Sequence, residues 1–234
     1  METTLEFRPE DHRDELRNNL IFSGLSDSEI FALLEHCRPR CFSLTAGEVI
    51  HIEPGFRHRL CLVLSGNVIA YAIGYDGGKT MLNSVKGSGQ MGAMQFTVDQ
   101  YNTVVELTAS ADSRAIMIEP EKLLIADEKL AIIQHKALVN LMASQRQLFF
   151  DLSDHIICLS QKNVRDKILR FLKLQSERAR SYEFEIPYSR EELAIYLAVD
   201  RASLSRSLGE LRRDGVIDFS KNRFKILSTK YFVY

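Results

Sequence analysis

The stretch Ser189–Gly215, SREELAIYLAVDRASLSRSLGELRRDG, decides how this 234-residue chain is read. Ser189 suits a helix N-cap, and Glu192, Leu193 and Leu197 follow it at helical spacing. Ala198-Val199-Asp200 then breaks the periodicity for about the length of the turn in a helix-turn-helix. A second helix follows, with Leu204, Leu208 and Leu211 on one face and Arg201, Ser205 and Arg206 beside it. A DNA major groove requires side chains that donate to guanine edges and phosphates, on a helix anchored by an apolar stripe. Gly215-Val216-Ile217-Asp218-Phe219 and the run from Lys221 to Ile226 read as two short strands about Ser220-Lys221-Asn222. That is the β-hairpin wing of a winged helix. A merely solvated helix hairpin has no reason to be followed by such a wing.

The charge distribution agrees. From Leu159 to Tyr234 there are 16 Lys and Arg against 10 Asp and Glu, a net of +6, while the whole chain carries −1. A basic C-terminal third on an acidic body is the electrostatic footprint of a nucleic-acid-binding domain. The composition, 45% hydrophobic and 26% charged, is that of an ordinary globular protein of one or two domains. No apolar run approaches the ~18–20 residues that span a bilayer. The N-terminal METTLEFRPEDHRDELRNN is charged throughout and reads as neither signal peptide nor anchor, so a cytoplasmic location without membrane contact is expected. Cys37, Cys41, Cys61 and Cys158 form no CxxC, and the Cys37/Cys41 pair lacks a second pair at zinc-site spacing. They read as small buried thiols, with a redox role as the alternative.

Working outward, Ser26 and Glu29 form a capping box opening a helix from Asp27 to Cys37. From Arg40 to about Glu119 the pattern changes to short β-prone runs. Val49 to Ile52 precedes Pro54-Gly55, Leu60 to Leu64 precedes Ser65-Gly66-Asn67, and Val68 to Ile73 precedes Tyr75-Asp76-Gly77-Gly78. Thr80 to Val85 precedes Lys86-Gly87-Ser88-Gly89, and Val104 to Ser110 and Ser113 to Ile118 complete the set. Such spacing predicts an antiparallel barrel or jelly roll. From Glu121 to about Leu159 there is no Pro or Gly, and the segment reads as one long helix. Leu138, Leu141, Gln145, Leu148, Leu152, His155 and Leu159 recur at three- and four-residue steps, an a/d seam whose leucines would meet a twin helix. A second set, Ile132, Val139, Met142, Phe149 and Ile156, lies on an adjoining face. One stripe can pack on the barrel and the other on a second copy, and a two-fold homodimer suits a palindromic site. Asn163 to Lys173 reads as another helix, and Tyr182 to Ile186 as a short strand before Pro187.

The fold class is therefore α+β. An N-terminal antiparallel β-roll or jelly roll occupies residues 1–120, a long dimerisation helix 121–159, and a C-terminal winged helix-turn-helix 160–234. This order resembles the Crp/Fnr family of bacterial transcription regulators over nearly the whole chain. Ala46-Gly47-Glu48-Val49-Ile50 with Gly55 looks like the family's early G-x-x-I-x-x-x-G stretch, in a cyclic-nucleotide-binding-like roll. Leu62-Val63-Leu64-Ser65-Gly66-Asn67-Val68 looks like its next strand and G-x-V turn, and Gly89-Gln90-Met91 like a later G-[DE]-x turn. In the helix pair, Ser205-Arg206 matches the Ser-Arg pair of the Fnr branch, and Arg201 the first recognition-helix arginine of the cyclic AMP branch. The resemblance implies base reading by Arg201, Ala202, Ser205 and Arg206, with Arg206 on guanine, and phosphate contacts from Ser189, Arg190, Lys221 and Arg223. Ala202 departs from the pattern, because both branches commonly carry a glutamate there. A carboxylate accepts from cytosine N4, whereas a methyl group can touch only a thymine methyl.

The resemblance also implies an effector site between the roll and the long helix. Gly92, Ala93, Met94, Phe96, Tyr101 and Thr103 fall there, with Met91 making the wall more apolar still. The glutamate of cyclic AMP binders falls on Ala93, and no arginine occurs between Arg59 and Arg114. A buried phosphate without a guanidinium would be costly, which argues against cyclic AMP and leaves any small-molecule effector unidentified. With no cysteine before Cys37, the N-terminal cluster of the iron–sulfur branch is absent. Haem would need an axial ligand from His51, His58, Cys61 or His135, none of which stands in a haem motif. The expected partners are double-stranded DNA, a second copy of the chain and RNA polymerase, with no catalytic or metal residues. Two rivals stay open: a regulator without effector, whose roll is a dimer scaffold, and a cupin-like metalloenzyme, for which His51 and His58 lack a third ligand.

Overall fold

The computed structural model of the chain describes residues 7–52, 59–87, 93–96, 104–119, 121–125 and 127–231. Two compact units divide inside the long helix, one running to Leu148 and the other starting at Phe149. In the first, a single turn at Pro9–His12 leads into α1 (Arg13–Arg17) and α2 (Asp27–Cys37). The capping box closes the start of α2. Glu29 N–H donates to Ser26 Oγ at 3.3 Å, and Ser26 N–H to Glu29 Oε2 at 2.7 Å.

Strands β1 (Arg40–Leu44), β2 (Val49–Ile52), β3 (Arg59–Ile73), β4 (Lys79–Lys86), β5 (Ala93–Phe96) and β6 (Val104–Ile118) form one antiparallel sheet. Its order is β1-β6-β3-β4, with β2 also on β6 and β5 also on β3. The two 15-residue strands, β3 and β6, pair along their length and make the spine. Alternation along them sorts side chains between two cores. Leu60, Leu62, Leu64, Ile116 and Ile118 join Leu16, Ile30, Leu33 and Leu34 of the helices, while Cys61, Val63, Val68, Leu107 and Ala115 join Phe42 and Val85.

Two expected boundaries move. Ser65-Gly66-Asn67 is not a turn between two strands, because β3 runs through it with register shifts against β6, and β6 likewise continues through 110–113. Gly66 takes φ +80°, and a Cβ there would stand 2.3 Å from the Asp112 carbonyl oxygen and Ser113 Oγ. Ser113 Oγ accepts from Asn67 N–H at 3.0 Å and donates to the Ala111 carbonyl at 2.6 Å. The triplet is thus a bulge stapled to the neighbouring strand. The single helix expected from Glu121 is instead α3 (Glu121–Leu124) followed by α4 (Ala131–Leu159). Buried Gln134 makes the break. Its Nε2 donates to the carbonyls of Ile125 at 2.7 Å and Lys122 at 3.2 Å, and its Oε1 accepts from Asp127 N–H at 3.2 Å. One amide satisfies three backbone groups, so helical pairing is not needed to satisfy them there.

The leucine seam is covered unevenly within the chain. Leu138 and Leu141 are partly buried against their own unit's core, and Leu148 is half-buried. Leu152 is exposed, but His155, further along the same seam, is buried. The strongly exposed stripe is the adjoining one, Ile132, Val139, Met142, Phe149 and Ile156.

In the second unit α5 (Val164–Ala179) is capped by Asn163, whose Oδ1 accepts from Asp166 N–H at 2.9 Å, and it runs on past Lys173. Then come β7 (Glu183–Glu185), α6 (Arg190–Tyr196), α7 (Arg201–Arg213), β8 (Ile217–Ser220) and β9 (Arg223–Ile226). The three strands order as β7-β9-β8. Phe171, Leu172, Leu193, Leu204, Leu208, Leu211, Ile217 and Phe224 share one core. The last turns of α4 are tied to this unit by Arg178, which reaches Asp151 at 2.7 Å and Asp154 at 3.0 Å. His155 stacks on Tyr196 with centroids 3.9 Å apart, and its Nε2 lies 2.6 Å from the Tyr196 carbonyl oxygen. A carbonyl only accepts, so Nε2 bears the hydrogen. Burial pushes this imidazole below the ordinary histidine range, although the hydrogen bond opposes the shift.

Two outcomes are expected. Below the ordinary histidine pKa of about 6.5, the unfolded chain takes up a proton at His155 that the folded unit resists, so stability falls as pH falls. Thermal melts at pH 7.5 and 5.5 should show a larger drop in Tm for wild type than for His155→Gln; equal drops would contradict this. Gly66→Ala should destabilise the first unit by about 2 kcal/mol or more in urea unfolding, because it combines a clash with left-handed strain.

Candidate nucleic-acid interface

The helix pair is built from local hydrogen bonds. Ser189 caps α6 in a second capping box, unrecognised in the sequence beyond its N-cap: Ser189 N–H donates to Glu192 Oε2 at 2.6 Å, and Glu192 N–H to Ser189 Oγ at 3.2 Å. The helix ends where Ala198 turns left-handed at φ +49°. Val199 N–H donates to the Ala194 carbonyl and Ala198 N–H to that of Ile195, each at 3.0 Å, which is a Schellman close made without glycine. Lys167 Nζ donates to the Leu197 carbonyl at 3.0 Å, fixing the turn to α5. Asp200 then caps α7 by accepting from Ser203 N–H at 2.8 Å, and hydrogen bonding from the Ser203 side chain, together with this backbone bond, holds its carboxyl below the usual range.

Burial decides which face of α7 is presented. Leu204, Leu208 and Leu211 are fully buried, whereas Arg201, Ala202, Ser205 and Arg206 are all exposed. The four residues expected to read bases therefore share the outward face of one helix. Those expected to touch phosphates are less uniform. Ser189 is exposed but engaged in its cap, and Lys221 is exposed at the tip of the β8–β9 hairpin with φ +51°. Arg223 reaches Glu183 Oε1 at 2.8 Å in an exposed pair, an interaction worth at most ~1 kcal/mol and readily exchanged.

Arg190 differs from all of these. Its guanidinium lies over the rings of Phe219 and Phe224, at 5.1 and 4.9 Å from their centroids, and donates to the Lys221 carbonyl at 2.5 Å. Sequence spacing places an arginine at the start of α6 but carries no signal that it turns inward. Nor does the sequence carry a signal for the role of Arg212. It pairs with Asp218 at 2.7 Å and lies 5.3 Å from the Phe219 centroid.

The effector side is less fully described. Gly92, Tyr101 and Thr103 lie outside the described residues, and Ala93, Met94 and Phe96 belong to β5, paired with β3 in the register Ala93–Leu62 and Phe96–Arg59. Among the described residues no group of three His, Cys, Asp or Glu could hold a metal ion. Of the haem candidates, His58 and the His51 side chain lie outside the described residues, Cys61 is fully buried and His135 is exposed. All four cysteines are free and buried. Desolvation pushes Cys37 and Cys158 up to about 11 and Cys61 to about 12, away from the reactive thiolate. No helix among the described residues is long and apolar enough to cross a membrane.

The family model described as the Crp-like helix-turn-helix domain matches residues 166–231. No curated protein matches the chain in sequence. Among solved structures, a CooA variant from Carboxydothermus hydrogenoformans is similar over 92% of this chain and 94% of its own, with 16% identity and a TM-score of 0.70. The c-di-GMP responsive global regulator CLP of Xanthomonas campestris is similar over 87% of this chain and all of its own, with 20% identity and a TM-score of 0.64. FixK2 from Bradyrhizobium japonicum covers 83% of this chain and 95% of its own, with 21% identity and a TM-score of 0.60. At such identities the likeness is one of fold. Residues 166–231 match a Crp-like helix-turn-helix domain, and the chain as a whole shares the fold of these three solved structures.

Proposed function

We propose that the chain is a sequence-specific DNA-binding regulator that works as a homodimer on palindromic sites. The observation that carries this reading is the outward face of α7, where Arg201, Ala202, Ser205 and Arg206 are exposed on a helix whose other face is buried. Arg206 is the guanine reader. Arg201 and Ser205 flank it, and Ala202 supplies a methyl group where a carboxylate would select cytosine. Lys221 at the wing tip, with Ser189 and Arg223, meets phosphates and sets affinity and salt dependence rather than sequence.

The exposed stripe of α4 supports the dimer. Met142 is 73% exposed, Phe149 66% and Ile156 65%, at seven-residue steps along one helix. Such a row is costly in water and is the pattern by which two helices pair. We therefore move the dimer contact from the Leu138–Leu152 seam to this adjoining row. Paired helices set the separation of two recognition helices, which must be near one DNA turn of ~34 Å.

In this reading the roll senses a small molecule through the Gly92–Thr103 region and biases the dimer helices. Ala93 and the lack of an arginine between Arg59 and Arg114 argue against a cyclic nucleotide phosphate. The raised pKa values of the buried thiols favour a ligand over redox sensing. RNA polymerase in the cytoplasm is the machinery such a regulator acts on.

Two variants test the assignment. Arg206→Ala should weaken binding to the selected palindrome by about 5- to 150-fold per half-site, the equivalent of ~1–3 kcal/mol, and leave non-specific binding and dimerisation intact. Wild-type affinity in fluorescence anisotropy would overturn the base-reading role. Phe149→Asp should give a monomer by light scattering and lose palindrome binding, whereas an unchanged dimer would remove α4 from the interface.

A further inference from the structure

Five aromatic and cationic contacts form a ladder across the second unit. Arg212, near the end of α7, lies over Phe219 of β8. Arg190, the first residue of α6, lies over Phe219 and also over Phe224 of β9. The rings of Phe219 and Phe224 stack at 5.6 Å and 30°, and Phe224 stacks on Phe184 of β7 at 6.4 Å and 16°. Both helices of the reading motif are thus joined to the wing through alternating guanidinium and ring.

The tip of the wing needs such a hold. Lys221 is neither Gly nor Asn, yet it takes φ +51°, a region that side chains with a Cβ enter only when surrounding contacts impose it. The contact present is the hydrogen bond from Arg190 Nη2 to the Lys221 carbonyl. The other end of the same guanidinium is closed off: Arg190 Nη1 is buried and has no hydrogen-bond partner. A phosphate oxygen cannot reach Nη1 unless the ladder opens.

We propose that Arg190 is a wing-positioning residue, which holds the Lys221 turn against the helix pair so that Lys221, and not Arg190, meets the DNA backbone. This rests on the DNA-binding reading above and departs from the phosphate role its position alone implies. The charge on Arg190 serves the rings and one carbonyl, and its effect on DNA is exerted through Lys221.

A double-mutant cycle read on salt dependence separates the possibilities. Full-length wild type, Arg190→Gln, Lys221→Gln and the double variant are titrated onto the selected palindromic duplex between roughly 50 and 200 mM KCl. Each lost phosphate contact lowers the slope of log K against log salt by about 0.9, or about 1.8 for a two-fold dimer. We expect all three variants to lose the same amount, because Lys221 without its hold makes no contact. Phe219→Leu, which alters no charge, should lose that amount too, and it carries the test if Arg190→Gln does not give a native circular dichroism spectrum. A double variant losing twice as much would assign Arg190 its own phosphate and overturn the proposal. An unchanged slope in both Arg190→Gln and Phe219→Leu would overturn it as well, leaving the ladder a matter of stability alone. Wild type that binds without salt dependence would instead bring down the DNA-binding reading itself.

Discussion

Everything the second unit can do depends on the burial of Leu204, Leu208 and Leu211. These three sit in one core with Phe171, Leu193, Leu197, Ile217 and Phe224, and each is essentially inaccessible to water. At roughly 1.5–3 kcal/mol for each fully buried leucine, no rotation of α7 that exposes them is tolerable. The helix therefore has only one face left to present. Ala198 and the Asp200 cap decide where that face begins, so that Arg201 and Ala202 occupy the first turn and Ser205 and Arg206 the next. The exposure of these four residues is in this sense a by-product of apolar packing.

The cations around that face divide by what holds them. Arg201, Arg206 and Lys221 are exposed, Arg223 is in a weak surface pair with Glu183, and Arg190 is spent on the interior of the wing. A count of basic residues does not distinguish these roles, although the +6 charge of the C-terminal third sums over all of them. The division follows from which cations have rings and carbonyls within reach. Arg190 has two phenylalanines and a strained turn beside it, and desolvation there works against its charge without removing it.

Much of the fold was legible because its signals are local. The capping box at Ser26, the N-cap at Ser189 and the two-strand wing each depend on residues three or four apart. The departures come from contacts that spacing does not encode. Ser65-Gly66-Asn67 has the composition of a turn, and only Ser113, pressed against it from β6, makes it a bulge. The segment after Glu121 lacks any helix breaker, yet the Gln134 amide ends one helix and starts another. Leu138 and Val139 belong to stripes of equal periodicity, and only the core beneath them decides which is covered. At the candidate site, the outward α7 residues were readable from the leucine stripe, whereas the inward turn of Arg190 required the rings supplied by β8 and β9.

The outward face of α7 is proposed to read DNA sequence in a two-fold assembly. Selection of bound duplexes from a random pool by the full-length protein tests it most directly. The selected pool should be enriched in a palindrome whose half-sites lie about one helical turn apart, each with a guanine under Arg206 and no cytosine required opposite Ala202. A pool that returns without enrichment, or with single unpaired half-sites, would contradict it.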